Sequence, residues 1–171
     1  MKSFAMGSLF LIFFLSIFGC SSDHGASPHV SAAHEVMQAF AKEMEKEFDL
    51  VCIGSGGRMP LQIEEIQVSF AAYRKGEIPE ARSLEILGTE RLVEIINNSE
   101  RIRPYLKKHP IDHAHAFVSI SFRQKNETRF DGVALVFQAN DQIYYCSKDP
   151  NRDLLVEPYE KARNEILLPL N

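Results

Sequence analysis

The spacing of apolar residues changes abruptly partway along this 171-residue chain, and that change limits its possible folds more than any other feature. Ala33, Met37, Phe40, Met44 and Phe48 recur every three or four positions, with Lys42, Glu43, Glu45 and Lys46 on the opposite side. One apolar stripe at this period predicts an amphipathic helix. Ser31 can cap it, and Glu35 follows where helix-start carboxylates belong. Over residues 63–73 the period drops to two. Ile66, Val68, Phe70 and Ala72 alternate with Gln67, Ser69, Ala71 and Tyr73, the pattern of a strand with one buried face. Helical spacing returns behind Pro79 and Glu80, through Ala81, Leu84, Gly88, Leu92 and Ile95, with Asn97 and Asn98 as its end. Gly88 in mid-helix costs about 1 kcal/mol relative to Ala, for which close packing on a neighbour is one explanation.

Pro104 and Pro110 then forbid continuous regular structure in "RIRPYLKKHPID". Three strands are expected next, over residues 116–123, 132–138 and 142–147, with Val133, Leu135 and Phe137 inward in the second. "QKNET" and "ANDQ" are the turns between them, and Asn140-Asp141 suits a tight hairpin. A short helix over 158–167 places Tyr159, Ala162 and Ile166 on one side. The expected class is α+β: an antiparallel sheet of about four strands, two main helices packed on one face, and a short C-terminal helix.

The N-terminus has a different character. After Lys2, an apolar block runs from Phe4 to Phe18 and ends at Gly19-Cys20-Ser21-Ser22. A membrane-crossing helix needs roughly 20 apolar residues. This block is shorter, with a basic start and small residues at its end, which is signal-peptide geometry. Ile17-Phe18-Gly19-Cys20 resembles the lipobox of bacterial lipoproteins, although Phe18 is bulkier than usual there. The resemblance implies cleavage after Gly19 and acylation of Cys20, and two or more acyl chains anchor a protein stably. Residues 1–19 are then a lipoprotein signal peptide, 20–31 a lipidated flexible tether broken by Gly25 and Pro28, and 32–171 a single domain. No acidic residue directly follows Cys20, which resembles an outer-membrane address facing the periplasm in a diderm host.

Composition narrows the function. Apolar residues make up 45% and charged residues 25%, an ordinary globular balance. The net charge of −4 lacks the basic surplus of a nucleic-acid binder, and the absence of Trp weakens a carbohydrate platform. With Cys20 lipidated, Cys52 and Cys146 remain, and an exported domain permits a disulfide between them. Closing so long a loop is worth about 4 kcal/mol in chain entropy, against the alternative of two free thiols.

Four stretches invite chemistry. "GSGG", Gly54 to Gly57, has the small residues of a phosphate loop, but it leads from a helix toward a strand and lacks a following Lys-Ser/Thr. It reads as a turn in front of Pro60, and Ser55 lacks the nucleophile-elbow pattern. His113 and His115 stand two apart, so on a strand they share a face and can hold one metal ion, with Asp112 and His109 near in sequence. Arg101, Arg103 and Lys107 surround Tyr105, a candidate surface for an anionic ligand or a partner. A thiol nucleophile at Cys52 or Cys146 lacks a local histidine motif. No catalytic residue and no cofactor are assigned.

"GSGGRMP" followed by "ARSLEILGTERLVEIINNSERIRPYL" resembles a group of small bacterial exported lipoproteins of unknown function. That resemblance implies no activity, cofactor or substrate. It implies that the glycine stretch and "IRPYL" belong to one surface. The expected function is a lipid-anchored, non-enzymatic envelope domain that binds a protein or other envelope component, the alternative being a small-molecule or metal-binding lipoprotein.

Overall fold

The computed structural model describes residues 27–126, 128–149 and 152–168. The expected signal peptide, Cys20 and residues 21–26 of the expected tether lie outside the described residues. The helical stripe at the start becomes α1, Pro28–Phe48, which begins on a proline at its first position and closes on Asp49 in the left-handed conformation. Residues 28–31 therefore belong to the helix and not to the tether, because Pro28 supplies a preset helical φ three residues before Ser31. Ala33, Met37, Phe40 and Met44 are all buried, as their spacing requires.

Then come β1 (Val51–Arg58), β2 (Glu65–Ala72) and α2 (Ile78–Asn98), followed by a single 3-10 turn at Arg103–Tyr105. β3 (Ala116–Phe122), β4 (Leu135–Ala139), β5 (Gln142–Cys146), β6 (Asp153–Pro158) and α3 (Tyr159–Leu167) complete the chain. The strands lie side by side in sequence order, β1-β2-β3-β4-β5-β6, in one sheet. Every neighbouring pair is antiparallel except β2–β3, which is parallel through seven paired positions from Ile66↔Ala116 to Ala72↔Phe122. Parallel neighbours need a crossover, and α2 with the proline-rich connector supplies it.

The α+β class holds, while the four-stranded antiparallel sheet is corrected to a mixed sheet of six. β1 is the "GSGG" segment read above as a turn. Glycine lowers strand propensity without forbidding extension, and pairing along β2 from Val51↔Ala71 to Arg58↔Glu65 overrides it. At Gly57 the fit demands glycine, since a Cβ there would collide with the Glu65 carbonyl oxygen. β6 went unread because Leu154, Leu155 and Val156 run together without alternation.

Asn140 and Asp141 both take positive φ and join β4 to β5 in the expected tight hairpin. In β4 the phase is reversed from that expected: Val136 and Gln138 face the core, and Leu135 and Phe137 face outward. The cause lies just upstream, where Val133 bridges Gly76 and Val133 and Ala134 are both buried.

All three helices pack on one side of the sheet. Phe40 of α1 meets Phe70 of β2 edge-on at 5.6 Å. α2 lies over β3, where Gly88 allows close approach: a Cβ there would stand 3.1 Å from Met44 Cε and 3.4 Å from Val118 Cγ1. α3 packs against α2 and β6. The core between is continuous, through Ile66, Val68, Phe70, Val118, Ile120, Phe122, Val136, Ile143 and Tyr145 on the sheet.

Candidate functional site

The strand alternation that buries one set of side chains sends the other set to the open side of the sheet. Register places Gly54, Ser69, Ser119, Phe137, Tyr144 and Val156 in a single row across all six strands. A second row holds Val51, Ala71, Ser121, Leu135 and Cys146, of which Ala71 and Ser121 are buried, so the open area centres on the first row. Phe137 and Tyr144 stack at 5.2 Å with their planes 10° apart, and Val51 and Val156 are 41% and 42% exposed. Small residues on β1 to β3 beside large ones on β4 and β5 make the surface stepped. A hollow of ≈ 480 Å³ lies on it, among Glu65, Gln67, Phe117, Ser119, Leu135 and Phe137. The surface is aromatic and hydroxyl-rich at its centre, with charge at the rim in the Arg58–Glu65 pair at 2.7 Å. An aromatic centre inside a polar rim is shared with protein–protein interfaces, whereas serine is depleted in them.

The other side carries a polar seam that fastens α3. Glu157 of β6, almost fully buried, accepts Arg82 Nε at 2.7 Å, Arg82 Nη2 at 2.9 Å and the Tyr145 hydroxyl at 2.7 Å. Glu90 likewise accepts from Arg163 at 2.7 Å and from the Tyr159 hydroxyl at 3.1 Å. Glu85 of α2 is fully buried, and neither carboxylate oxygen has a hydrogen-bond partner among the described residues. Burial pushes its pKa well above the ordinary value, and the nearby Gln138 backbone, which makes no geometrically formed hydrogen bond to either oxygen, offsets less than burial adds. Glu85, Glu90 and Glu157 were not singled out in the sequence, where each is one more charge on an amphipathic helix or strand. The packing of α2 against β3, β4 and α3, and the reach of Arg82 to Glu157, carry no local signal.

The histidine pair is corrected. His113 and His115 lie in a turn before β3, not on a strand, so they share no face. His115 Nδ1 contacts Asp112 at 2.6 Å, while His113 stacks on Tyr159 at 4.2 Å and reaches Asp141 at 3.4 Å. The hydrogen bond from Lys108, aided by His115, holds Asp112 down to about 2. Among the described residues no three His, Cys, Asp or Glu side chains converge as a metal site would need.

The cationic cluster is dispersed rather than convergent. Arg101 pairs with Glu35 at 2.6 Å, Arg103 donates to the Asn97 carbonyl at 3.4 Å, and Lys107 pairs with Glu64 at 2.8 Å. Glu64 also meets Arg58 at 2.8 Å, and Lys107 followed by Arg58 lowers its pKa. His29 stands between the two segments, bonded to the Met59 carbonyl at 3.1 Å and tilted on Tyr105 at 6.4 Å. The end of the glycine stretch and "RPYLK" thus meet at one end of the molecule.

Cys52 and Cys146 are both free thiols, the first exposed and the second half-buried. Of the two alternatives, the free thiols hold, because Cys52 is on β1 and Cys146 on β5, with three strands between. Four strand spacings amount to about 19 Å, far beyond the roughly 7 Å limit for bridged Cα atoms. Burial, then Asp153, pushes the Cys146 thiol up to about 11.

Fold and surface together define an α+β protein whose helices leave one broad sheet face open. The chain matches no protein-family model, no curated protein and no solved structure. Among the described residues no helix is long and apolar enough to cross a membrane.

Proposed function

We propose that this chain is an exported lipoprotein, held at an envelope membrane by acyl chains on Cys20, whose domain works by binding a protein partner. The observation that carries the binding role is the open sheet face, with Phe117, Leu135, Phe137, Tyr144 and Val156 partly or fully exposed around a serine floor. Burying aromatic and aliphatic area of this kind stabilises association by about 25 cal/mol per Å² before ordering costs. The anchor rests on the lipobox resemblance at Cys20 and the resemblance to exported lipoproteins.

The test has two arms in the native host. A photo-crosslinking residue at Tyr144 is expected to give one discrete adduct with an envelope protein, whereas the same residue at exposed Lys42, on the solvent side of α1, gives none. Cys20→Ser is expected to release the protein from membranes. No adduct at Tyr144 overturns the binding role, and membrane retention of the serine variant overturns the anchor. A second reading, a small apolar molecule in the ≈ 480 Å³ hollow, is favoured by its mixed lining of Phe117, Phe137, Gln67 and Ser119. A bound molecule in native mass spectra with no protein adduct would select it.

A further inference from the structure

The two edges of the sheet are treated differently. β6 starts on Asp153, ends on Pro158 and passes directly into α3. A terminal charge and a proline without an N–H are ordinary protections against further strand pairing. β1 has eight residues, and among the described residues it pairs only with β2. Between Val51 and Gly57 it carries neither charge nor proline, and its residues are exposed or half-buried throughout. A register shift between Cys52 and Gly54 interrupts it, so the regular part of its outward edge, Gly54 to Arg58, presents backbone donors and acceptors over about 13 Å.

Two further observations point to an occupant. Gly54 and Gly56 sit in β1 with no heavy atom within 4 Å of where a Cβ would be, and neither has positive φ. Nothing among the described residues requires glycine there, although glycine weakens a strand, and such glycines mark places where another backbone approaches. Beside the same edge, on the helix side, lies a hollow of ≈ 540 Å³ among Val30, His34, Met37, Ser55, Gly57 and Met59. Ser55 and Gly57 pair with the buried Val68 and Ile66, so their side of the strand looks into that hollow. Two methionines and a valine form an adaptable apolar wall.

We propose that β1 is a β-augmentation site, which takes an extended segment of the partner polypeptide as a seventh strand, with apolar side chains at alternate positions entering the hollow. This rests on the reading that the domain binds a protein, and names the edge by which it does so. The occupant is a partner strand and not a second copy of β1, whose only large apolar residues, Val51 and Ile53, lie at one end, so that self-pairing centred on Gly54 to Gly57 sets serine and glycine opposite the apolar hollow. A partner strand with Leu, Val or Phe at every second residue fills it while its backbone pairs with β1.

The probe is a labelled seven-residue peptide alternating Thr with Leu and Val, mixed with the detergent-extracted full chain. Binding is expected to slow hydrogen exchange at alternate amides of β1. N-methylating every second amide of the peptide is expected to abolish binding in one phase and spare it in the other, since only one edge of the peptide meets β1. Val30→Glu, at an exposed position in the hollow's wall, is expected to weaken binding about tenfold or more. Equal binding by both N-methylated phases, or no protection at β1, overturns the proposal. So does concentration-dependent dimerisation that protects β1 without peptide. If Tyr144 still gives its protein adduct while β1 stays unprotected, the edge assignment alone has failed; loss of both removes the binding role itself.

Discussion

Glu85→Gln is the substitution whose consequence follows most directly from the structure. Glu85 sits on the buried side of α2, fully enclosed, with no hydrogen bond to either oxygen. Thr89 Oγ1 and Gln138 Oε1 are also buried without partners, so among the described residues no hydrogen bond is formed that would compensate an ionised carboxylate. Burial raises the folded-state pKa well above 4.5, whereas the unfolded chain titrates at its ordinary value. Below about pH 4.5 both states hold the proton, and the neutral acid contributes its full stability. As pH rises toward the folded pKa, the unfolded state loses its proton first, and stability falls by about 1.4 kcal/mol per pH unit. Glutamine keeps the shape and cannot ionise, so the variant lacks this slope. Urea unfolding of both proteins, followed by far-UV circular dichroism in half-unit steps from pH 4 to 8, isolates the effect, because every other titrating group cancels in the difference. The variant is expected to gain on the parent progressively as pH rises above about 4.5, where only the unfolded parent gives up its proton. A difference independent of pH would refute the reasoning and place Glu85 in contact with water or a counter-charge.

Glu157→Ala removes the acceptor shared by Arg82 and Tyr145 and leaves a buried hydroxyl and a mostly buried guanidinium short of partners. Arg82 keeps Glu165 at 2.9 Å, so a loss of about 2 to 3 kcal/mol is expected in chemical denaturation. Gly88→Val forces extra methyl groups between Met44 and Val118 and is expected to cost about 1 to 3 kcal/mol, read as a lower melting temperature. Thiol labelling at pH 8 without denaturant is expected to modify Cys52 quickly and Cys146 slowly. The second thiol is held at about 11 and is largely protonated there. A parent mass two units low before reduction would mean that the two are bridged after all.

The open sheet face owes its character to particular swaps in phase. Phe137 and Leu135 look like core residues in the sequence, because hydrophobic alternation tells which residues share a face but not which face is covered. The irregular Val133–Ala134 step settles it, turning Val136 inward and Phe137 outward. His113 and His115 failed as a pair for a related reason: spacing of two aligns side chains only on a strand, and β3 begins at Ala116, three residues after His113. The charged cluster around Tyr105 dissolved into separate ion pairs because each cation faces a different element: Glu35 on α1, the end of α2, and Glu64 before β2.

Local periodicity by itself determined α1, α2, α3 and the four inner strands, because a helix or strand with one apolar face writes its period into consecutive residues. It likewise placed the hairpin at Asn140-Asp141, where two residues accept positive φ. The tertiary structure alone decided that Gly54 to Gly57 extend as an edge strand, that β2 and β3 run parallel, and that Glu85 and Glu157 are buried. Each of these depends on a partner distant in the chain, such as Glu65 for Gly57 or Arg82 for Glu157. Contacts between residues far apart in sequence leave no trace in the spacing of either one.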